Sequence, residues 1–272
     1  MKTNFIKNIK EKCPLVHCIT NYVTVNDCAN ILLACGGSPT MADDPREVEE
    51  ITSLASALVI NIGTMNAAID AMVKAGKASV KFNHPVVLDP VGAGASKLRT
   101  DTTKNMIKDI KFTVIRGNIS EIKALALGTA TTKGVDAGIE DVVTEDNLDK
   151  SIEFIKAFAK ETGAIIAASG AIDIVADGEK AYVIYNGDKM MSKITGSGCM
   201  LTAMTGAYVG ANENKLEATA AAFCAMGIAG ERAMKKLQET HAGNSSYRNY
   251  LIDEIFNMTD DIVREGARYE IR

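Results

Sequence analysis

The stretch Ile194-Thr195-Gly196-Ser197-Gly198-Cys199-Met200-Leu201 sets two glycines, two hydroxyls and a thiol directly before an apolar run. Gly196 and Gly198 let the backbone approach a ligand closely and take positive φ where the turn requires it. Residues 200–211 carry no charge and no proline, which predicts a buried helix. Unpaired N–H groups at such a helix start, with the dipole behind them, bind anions, and phosphate above all. Cys199 falls in the first turn, where its thiol would face the bound group. The arrangement suits phosphoryl chemistry. Each part also has a plainer reading, because Gly-x-Gly makes ordinary strand-to-helix turns and a lone Cys is often a small buried hydrophobe.

Four other places put polar residues where apolar runs end: Asn61-Ile62-Gly63-Thr64, Asp89-Pro90-Val91-Gly92, Arg116-Gly117-Asn118 and Ser169-Gly170. Gly, Asn, Asp and Pro are common turn residues, so a turn accounts for each of these alone. It does not account for an Asp, an Arg and a Glu at successive ends. Asp89, directly after Val86-Val87-Leu88, either caps the next turn or holds a metal. Arg116 is either a bidentate phosphate clamp or one half of a surface ion pair. In Asn118-Ile119-Ser120-Glu121, Asn118 and Glu121 form a reciprocal helix cap, or Glu121 stands beside a metal-bound nucleotide.

These residues need elements to position them, and the pattern supplies a succession of short β-rich runs and helices. Strands are predicted at 15–19, 38–41, 57–62, 85–88, 112–115 and 164–168, with a hairpin of 172–176 and 182–185 around Asp177-Gly178. Helices are predicted at 24–35, from Asp44-Pro45-Arg46-Glu47 onward, at 66–78 and from Ser120, and the chain after the hairpin reads as helical to its end. Strand runs apolar along their whole length, separated by helices, imply a mostly parallel sheet covered on both faces. In such sheets ligands bind outside the carboxyl ends of the strands. No linker, repeat or low-complexity stretch divides residues 1–272, so a single domain is expected.

Composition excludes several classes. The chain has 272 residues, 47% of them hydrophobic and 24% charged, with a net charge of −4. That is ordinary for a globular protein, and it gives no basic footprint for nucleic acid or anionic lipid. Charges throughout residues 1–12 leave no apolar signal segment, and the uncharged stretch 194–212 is broken by four glycines, so no membrane span and a cytoplasmic location are expected. The six cysteines include no Cys-x-x-Cys pair and there are only three histidines, so no zinc spacing arises. His17 is expected to be structural.

Taken in order, seven segments resemble the hydroxyethylthiazole kinase family of the ribokinase-like superfamily. They are Pro14-Leu15-Val16-His17-Cys18-Ile19-Thr20-Asn21, Gly37-Ser38-Pro39-Thr40-Met41-Ala42, Ala57-Leu58-Val59-Ile60-Asn61-Ile62-Gly63-Thr64, Leu88-Asp89-Pro90-Val91-Gly92-Ala93-Gly94, Ile115-Arg116-Gly117-Asn118-Ile119-Ser120-Glu121, Lys133-Gly134-Val135-Asp136 and Thr195-Gly196-Ser197-Gly198-Cys199. The resemblance implies a three-layer α/β/α sandwich without a lid, assembled as a homotrimer with sites between subunits. It implies transfer of the γ-phosphoryl of ATP, with Mg²⁺, to the primary alcohol of 4-methyl-5-(2-hydroxyethyl)thiazole in thiamin biosynthesis or salvage.

By the same resemblance, Met41, Gly196, Asn21 and Gly63 line the thiazole site. Arg116, Ser169 and Asn118 meet ATP, with Ser169 where relatives often carry Thr. Asp89 and Glu121 orient Mg²⁺. Cys199 stands beside the substrate hydroxyl, where the wider superfamily usually has Asp. A helix start lowers a thiol's pKa and a triphosphate raises it, so the sequence leaves the sign of the shift open. One segment departs from the family, which often has a Gly-Pro-Gly-Ser-Phe-like turn where this chain has Ala242-Gly243-Asn244-Ser245-Ser246-Tyr247. Competing expectations are a ribokinase-like kinase of hydroxymethylpyrimidine or pyridoxal, a nucleotide-dependent dehydratase, and a silent ATP-binding protein. A cysteine hydrolase lacks a partner for His17.

Overall fold

Each central strand sends alternate apolar side chains to opposite faces, so the sheet must be covered on both sides. Val16 and Cys18, Val59, Val87, Val114, Ile165 and Ala167 join one buried cluster. Ile19, Leu58 and Ile60, Val86 and Leu88, Ile115, Ile166 and Ala168 join the other. The computed structural model describes residues 3–65, 68–127 and 142–272. The segment Lys133-Gly134-Val135-Asp136 and the predicted helix start at Asn66 lie outside the described residues.

The strands are β1 (Leu15–Ile19), β2 (Ser38–Thr40), β3 (Ala57–Asn61), β4 (Val86–Asp89), β5 (Val114–Asn118), β6 (Ile165–Ser169), β7 (Asp173–Ala176), β8 (Ala181–Ile184) and β9 (Tyr269–Ile271). They form one sheet in the order β2-β1-β3-β4-β5-β6-β7-β8-β9. Pairing is parallel from β2 through β6 and antiparallel from β6 to β9. One face is covered by α1 (Phe5–Lys12), α2 (Val25–Cys35), α8 (Ser197–Ala211), α9 (Lys215–Thr240), α10 (Asn244–Phe256) and α11 (Asp260–Gly266). The other carries α3 (Val48–Leu54), α4 (Ile69–Lys81), α5 (Lys97–Asp109), α6 (Ile119–Leu127) and α7 (Leu148–Thr162). The expected three-layer, mostly parallel architecture is present. No helix among the described residues is long and apolar enough to cross a membrane.

Helices α1, α5 and α7 are additional to the expected elements, most predicted ends shift by one to three residues, and three larger differences have identifiable causes. The chain does not end helical: β9 pairs antiparallel with β8, Ile184 opposite Tyr269. A three-residue strand is too short to show alternation, and it forms because β8 otherwise leaves an open edge. α3 begins at Val48 rather than Asp44, because the Asp44 carboxylate accepts from Arg46 N at 2.9 Å and from the Arg46 guanidinium, which fixes a turn. β5 runs on through Arg116, Gly117 and Asn118, since β6 pairs with all three.

The α8 helix packs against β1, β3 and β4 and comes closest to the sheet at its glycines. A Cβ on Gly206 would come within 2.6 Å of Val59 Cγ2. At its far end Lys12 Nζ donates to Ala211 O at 2.6 Å, and Lys215 Nζ donates to Val209 O and Asn212 O at 2.6 and 2.7 Å. Two ammonium groups thus satisfy the carbonyls of the negative helix end. The positive end points at the carboxyl edge of the sheet.

Candidate active site

Gly196 is the N-cap of α8 with φ +86°, and a Cβ there would meet Thr24 Cγ2 at 2.7 Å. Gly198 lies in the first turn, and a Cβ on it would sit 2.7 Å from Arg116 Nη1. Both glycines of the motif are therefore required, one by backbone conformation and one by the close approach of a guanidinium. The Thr195–Cys199 turn lies between the start of α2 and the end of β5.

Cys199 is half-buried. Its Sγ accepts two amide N–H groups at 3.3 Å, from Asn21 Nδ2 and Asn61 Nδ2. Asn21 Nδ2 also donates to Asn61 Oδ1 at 3.0 Å, while Asn21 Oδ1 accepts from Thr24 N and Thr24 Oγ1, each at 3.1 Å. Asn61 Oδ1 further accepts from Gly63 N at 2.9 Å, and Asn61 Nδ2 donates to Asp89 Oδ2 at 2.9 Å. One buried amide thus connects the ends of β1, β3 and β4 to the first turn of α8. Burial, and then the nearby Asp89 carboxylate, push the Cys199 thiol above its ordinary pKa, against hydrogen bonds from Thr24, Asn21 and Asn61 that pull it down. The sign left open by the sequence is upward.

Asp89 closes β4 and is 1% exposed. Its Oδ2 takes Asn61 and Thr202 Oγ1, the latter at 2.7 Å, with Arg116 Nη1 at 3.8 Å. Its Oδ1 is buried and has no hydrogen-bond partner among the described residues. Burial raises the Asp89 pKa against the pull of Arg116, Thr202 and Asn61. An unpartnered carboxylate oxygen in the interior is costly and calls for a missing partner.

Arg116 is itself buried, donates from Nη2 to Ser169 Oγ at 2.7 Å, and keeps a buried Nε without a partner among the described residues. It is not a surface ion pair. Asn118 and Glu121 do form the reciprocal cap: Asn118 Oδ1 accepts from Glu121 N and Glu121 Oε2 accepts from Asn118 N, both at 2.8 Å. Glu121 also exceeds that role, because Oε1 accepts from Gly92 N at 2.7 Å and so binds the loop after Asp89. Burial first, and Asp89 second, push the Glu121 pKa up to about 7.

Met41 is half-buried beside the α8-side core, in a loop held by His17. His17 Nε2–H donates to Ala42 O at 2.7 Å, which leaves Nδ1 to accept from Thr52 Oγ1 at 2.9 Å. Burial lowers the His17 pKa, in keeping with this neutral, structural ring. Gly63 abuts the network directly, since a Cβ there would lie 2.9 Å from Asn21 Nδ2.

Asn61, Thr202, Thr24 and Arg99 were not singled out from sequence. Asn61 had a signal, a polar residue ending a buried run, but a turn at Asn61-Ile62-Gly63-Thr64 accounts for it equally well. Thr202 stands one helical turn after Cys199, an i, i+3 spacing that puts both on one face. Arg99 had none. Its Nη1 donates to Ile62 O and Val91 O at 2.9 and 2.8 Å, and its Nη2 to Gly63 O at 2.9 Å, so one guanidinium ties two strand-end loops together.

Comparison with known proteins decides the family. The profile of the hydroxyethylthiazole kinase family matches residues 6–261. The hydroxyethylthiazole kinase of Clostridium acetobutylicum is 61% identical over 267 residues, 97% of each chain. The chain belongs to the hydroxyethylthiazole kinase family. Another member, from Clostridium tetani, is 48% identical over 97% of this chain and 96% of its own. The solved hydroxyethylthiazole kinase protein of Pyrococcus horikoshii OT3 superposes with a TM-score of 0.86 at 36% identity, covering 98% of this chain and 97% of that one. Pyridoxal kinase from Staphylococcus aureus, solved with AMP-PCP, shares the fold at a TM-score of 0.56 and 19% identity, over 80% of this chain and 87% of that one.

Proposed function

We propose that the carboxyl edge of the sheet transfers the γ-phosphoryl of ATP to the primary alcohol of 4-methyl-5-(2-hydroxyethyl)thiazole. The observation that carries this reading is the buried Asp89 Oδ1, without a hydrogen-bond partner among the described residues, between Arg116 and the amino end of α8. Family membership supports ATP as the donor and the thiazole alcohol as the acceptor.

The thiazole lies among Asn21, Met41, Gly63 and Gly196, where the apolar Met41 side chain walls an aromatic heterocycle. Arg116 and Ser169 take the triphosphate, a guanidinium fork and a hydroxyl suited to its oxygens. Asn118, paired with Ser169 across β5 and β6, belongs to the same side and places Glu121 by capping α6. Asp89 and Glu121 fit a divalent cation, since Mg²⁺ is usually held by one or two carboxylates together with waters and phosphates. Bound there, Mg²⁺ supplies neutralisation of charge on the phosphates.

The alcohol oxygen attacks the γ-phosphorus, the bond to the β,γ-bridging oxygen breaks, and ADP leaves with that electron pair. The alcohol proton passes to Cys199 Sγ, held in place by Asn21 and Asn61. Phosphoryl transfer runs through a loose transition state, so a scarce thiolate suffices and positioned charge matters more. The amides of residues 196–199 and Arg116 meet the developing charge, where one donor is worth roughly 3–4 kcal/mol. A homotrimer with sites between subunits fits the surface beside Asn21, where Tyr22 and Val23 stand 73% and 57% exposed.

The test is ADP release with ATP and Mg²⁺ on hydroxyethylthiazole, hydroxymethylpyrimidine and pyridoxal, with products identified by mass. Turnover on the thiazole alcohol alone is expected. Turnover confined to a pyrimidine or pyridine alcohol overturns the substrate, and free phosphate without a phosphorylated alcohol overturns the transfer.

A further inference from the structure

Arg248, on α10, lies outside every role assigned above, yet it is drawn toward the same turn. Its Nη2 stands 2.9 Å from Asp27 Oδ1, and its Nε is buried without a partner among the described residues. Asp27, in the first turn of α2, has a side chain only 9% exposed. A Cβ built on Gly196 would lie 3.8 Å from Asp27 Oδ2 and 2.7 Å from Thr24 Cγ2. The carboxylate is therefore packed beneath the N-cap of α8. The α10 helix reaches this loop a second time, where Asn244 Nδ2 donates to Lys193 O at 3.2 Å.

A full negative charge in that place opposes what the turn must do. The amino end of a helix carries the equivalent of roughly half a positive charge. A bare carboxylate in contact with the N-cap would cancel it and repel any anion bound on the far side. The screening of such a pair by solvent is weak here because Asp27 is buried.

We propose that Arg248 is a positioning residue for phosphoryl transfer, neutralising Asp27 beneath Gly196 so that the amino end of α8 still attracts the triphosphate and the transferring group. The inference rests on the reading that this turn faces the phosphoryl group. It differs from a role in packing alone, because its effect depends on the charge of Asp27 and not on the bridge between α2 and α10.

The test combines R248Q, D27N/R248Q and D27N with three readouts: ATP affinity by calorimetry, kcat/KM for hydroxyethylthiazole, and thermal unfolding. R248Q is expected to weaken ATP binding and lower kcat/KM by about tenfold, and D27N/R248Q to return both to within about twofold of wild type, a charge effect at the low end of that seen for close charge pairs, in keeping with the partly exposed Arg248. D27N, which keeps the arginine and removes the carboxylate, is expected to bind ATP at least as tightly as wild type. An unchanged R248Q overturns the proposal, and so does a folded double variant no better than R248Q. Should R248Q fail to fold, tenfold weaker ATP binding by D27N overturns it as well. ATP affinity is read without any alcohol, so a wrong substrate assignment leaves this test intact, and its failure is recognised separately by wild type turning over no thiazole.

Discussion

The two edges of the central sheet treat charge in opposite ways. At the amino edge the starts of β4, β5 and β6 border an open groove of about 710 Å³ that includes Lys111, Lys160 and Asp177. Lys111 and Lys160 are exposed there, and water meets the needs of their charges. At the carboxyl edge Asp89, Arg116 and Glu121 are all buried, with Cys199 half-buried beside them. Burial of this kind costs stability unless each group is paired, and two atoms, Asp89 Oδ1 and Arg116 Nε, remain unpaired among the described residues. Volume does not mark the site. Charge held out of water, with donors and acceptors left over, marks it.

Among the residues that touch Cys199, the largest loss comes from the amide that organises the buried side. Asn61→Leu keeps the shape but removes both donors, to Asp89 and to Cys199. It is expected to lower kcat by about 100-fold while the KM for ATP moves little, in the range of a lost oxyanion-type donor. A steady-state loss below threefold would break the claim that the network is functional. Cys199→Ala should cost less, about tenfold, because a loose transition state asks little of a base. Cys199→Asp should stay active, since a carboxylate is mostly ionised near neutral pH. A folded Cys199→Asp protein without turnover would remove the proton-acceptor role.

A third effect is on stability alone. The Glu121 pKa, about 7 in the fold against an ordinary 4.5, means that the folded protein holds a proton the unfolded chain has lost between those values. The metal-free protein should therefore lose stability as pH rises from about 4.5 to 7, by on the order of 1–3 kcal/mol from this group. Glu121→Gln should flatten that slope in denaturant titrations at pH 5 and 7.5, and an equally steep slope in the variant would contradict it. The smallest expected effect is chemical. Iodoacetamide at pH 7.5 should label exposed Cys13 well before Cys199, whose thiol is half-buried and held protonated by burial and the nearby Asp89 carboxylate.

Much of the buried edge was legible because it is local. Asp89, Arg116 and Ser169 each end an apolar run, and the Asn118–Glu121 cap spans three residues. The double-faced strands announced a parallel sheet for the same reason. What stayed hidden depends on distant partners. Asn61 and Cys199 are 138 positions apart, Asp27 and Arg248 farther still, and no spacing rule joins them. The shift of Cys199 needed its burial as well as its neighbours. The departure at Ala242–Tyr247 also resolves only in three dimensions, where buried Tyr247 donates its hydroxyl to Gly230 O at 3.0 Å and so retains the packing of an aromatic ring at that turn.

The most direct test sets the two edges against each other in one assay, comparing Asp89→Asn with the groove variant K111A/K160A in phosphorylation of hydroxyethylthiazole. Asp89→Asn should lose at least about 100-fold in kcat/KM, as expected where positioned charge dominates phosphoryl transfer, while the groove variant stays within about twofold of wild type, as exposed charges usually do. A near-normal Asp89→Asn enzyme, or a groove variant with the larger loss, would contradict the assignment of chemistry to the buried edge.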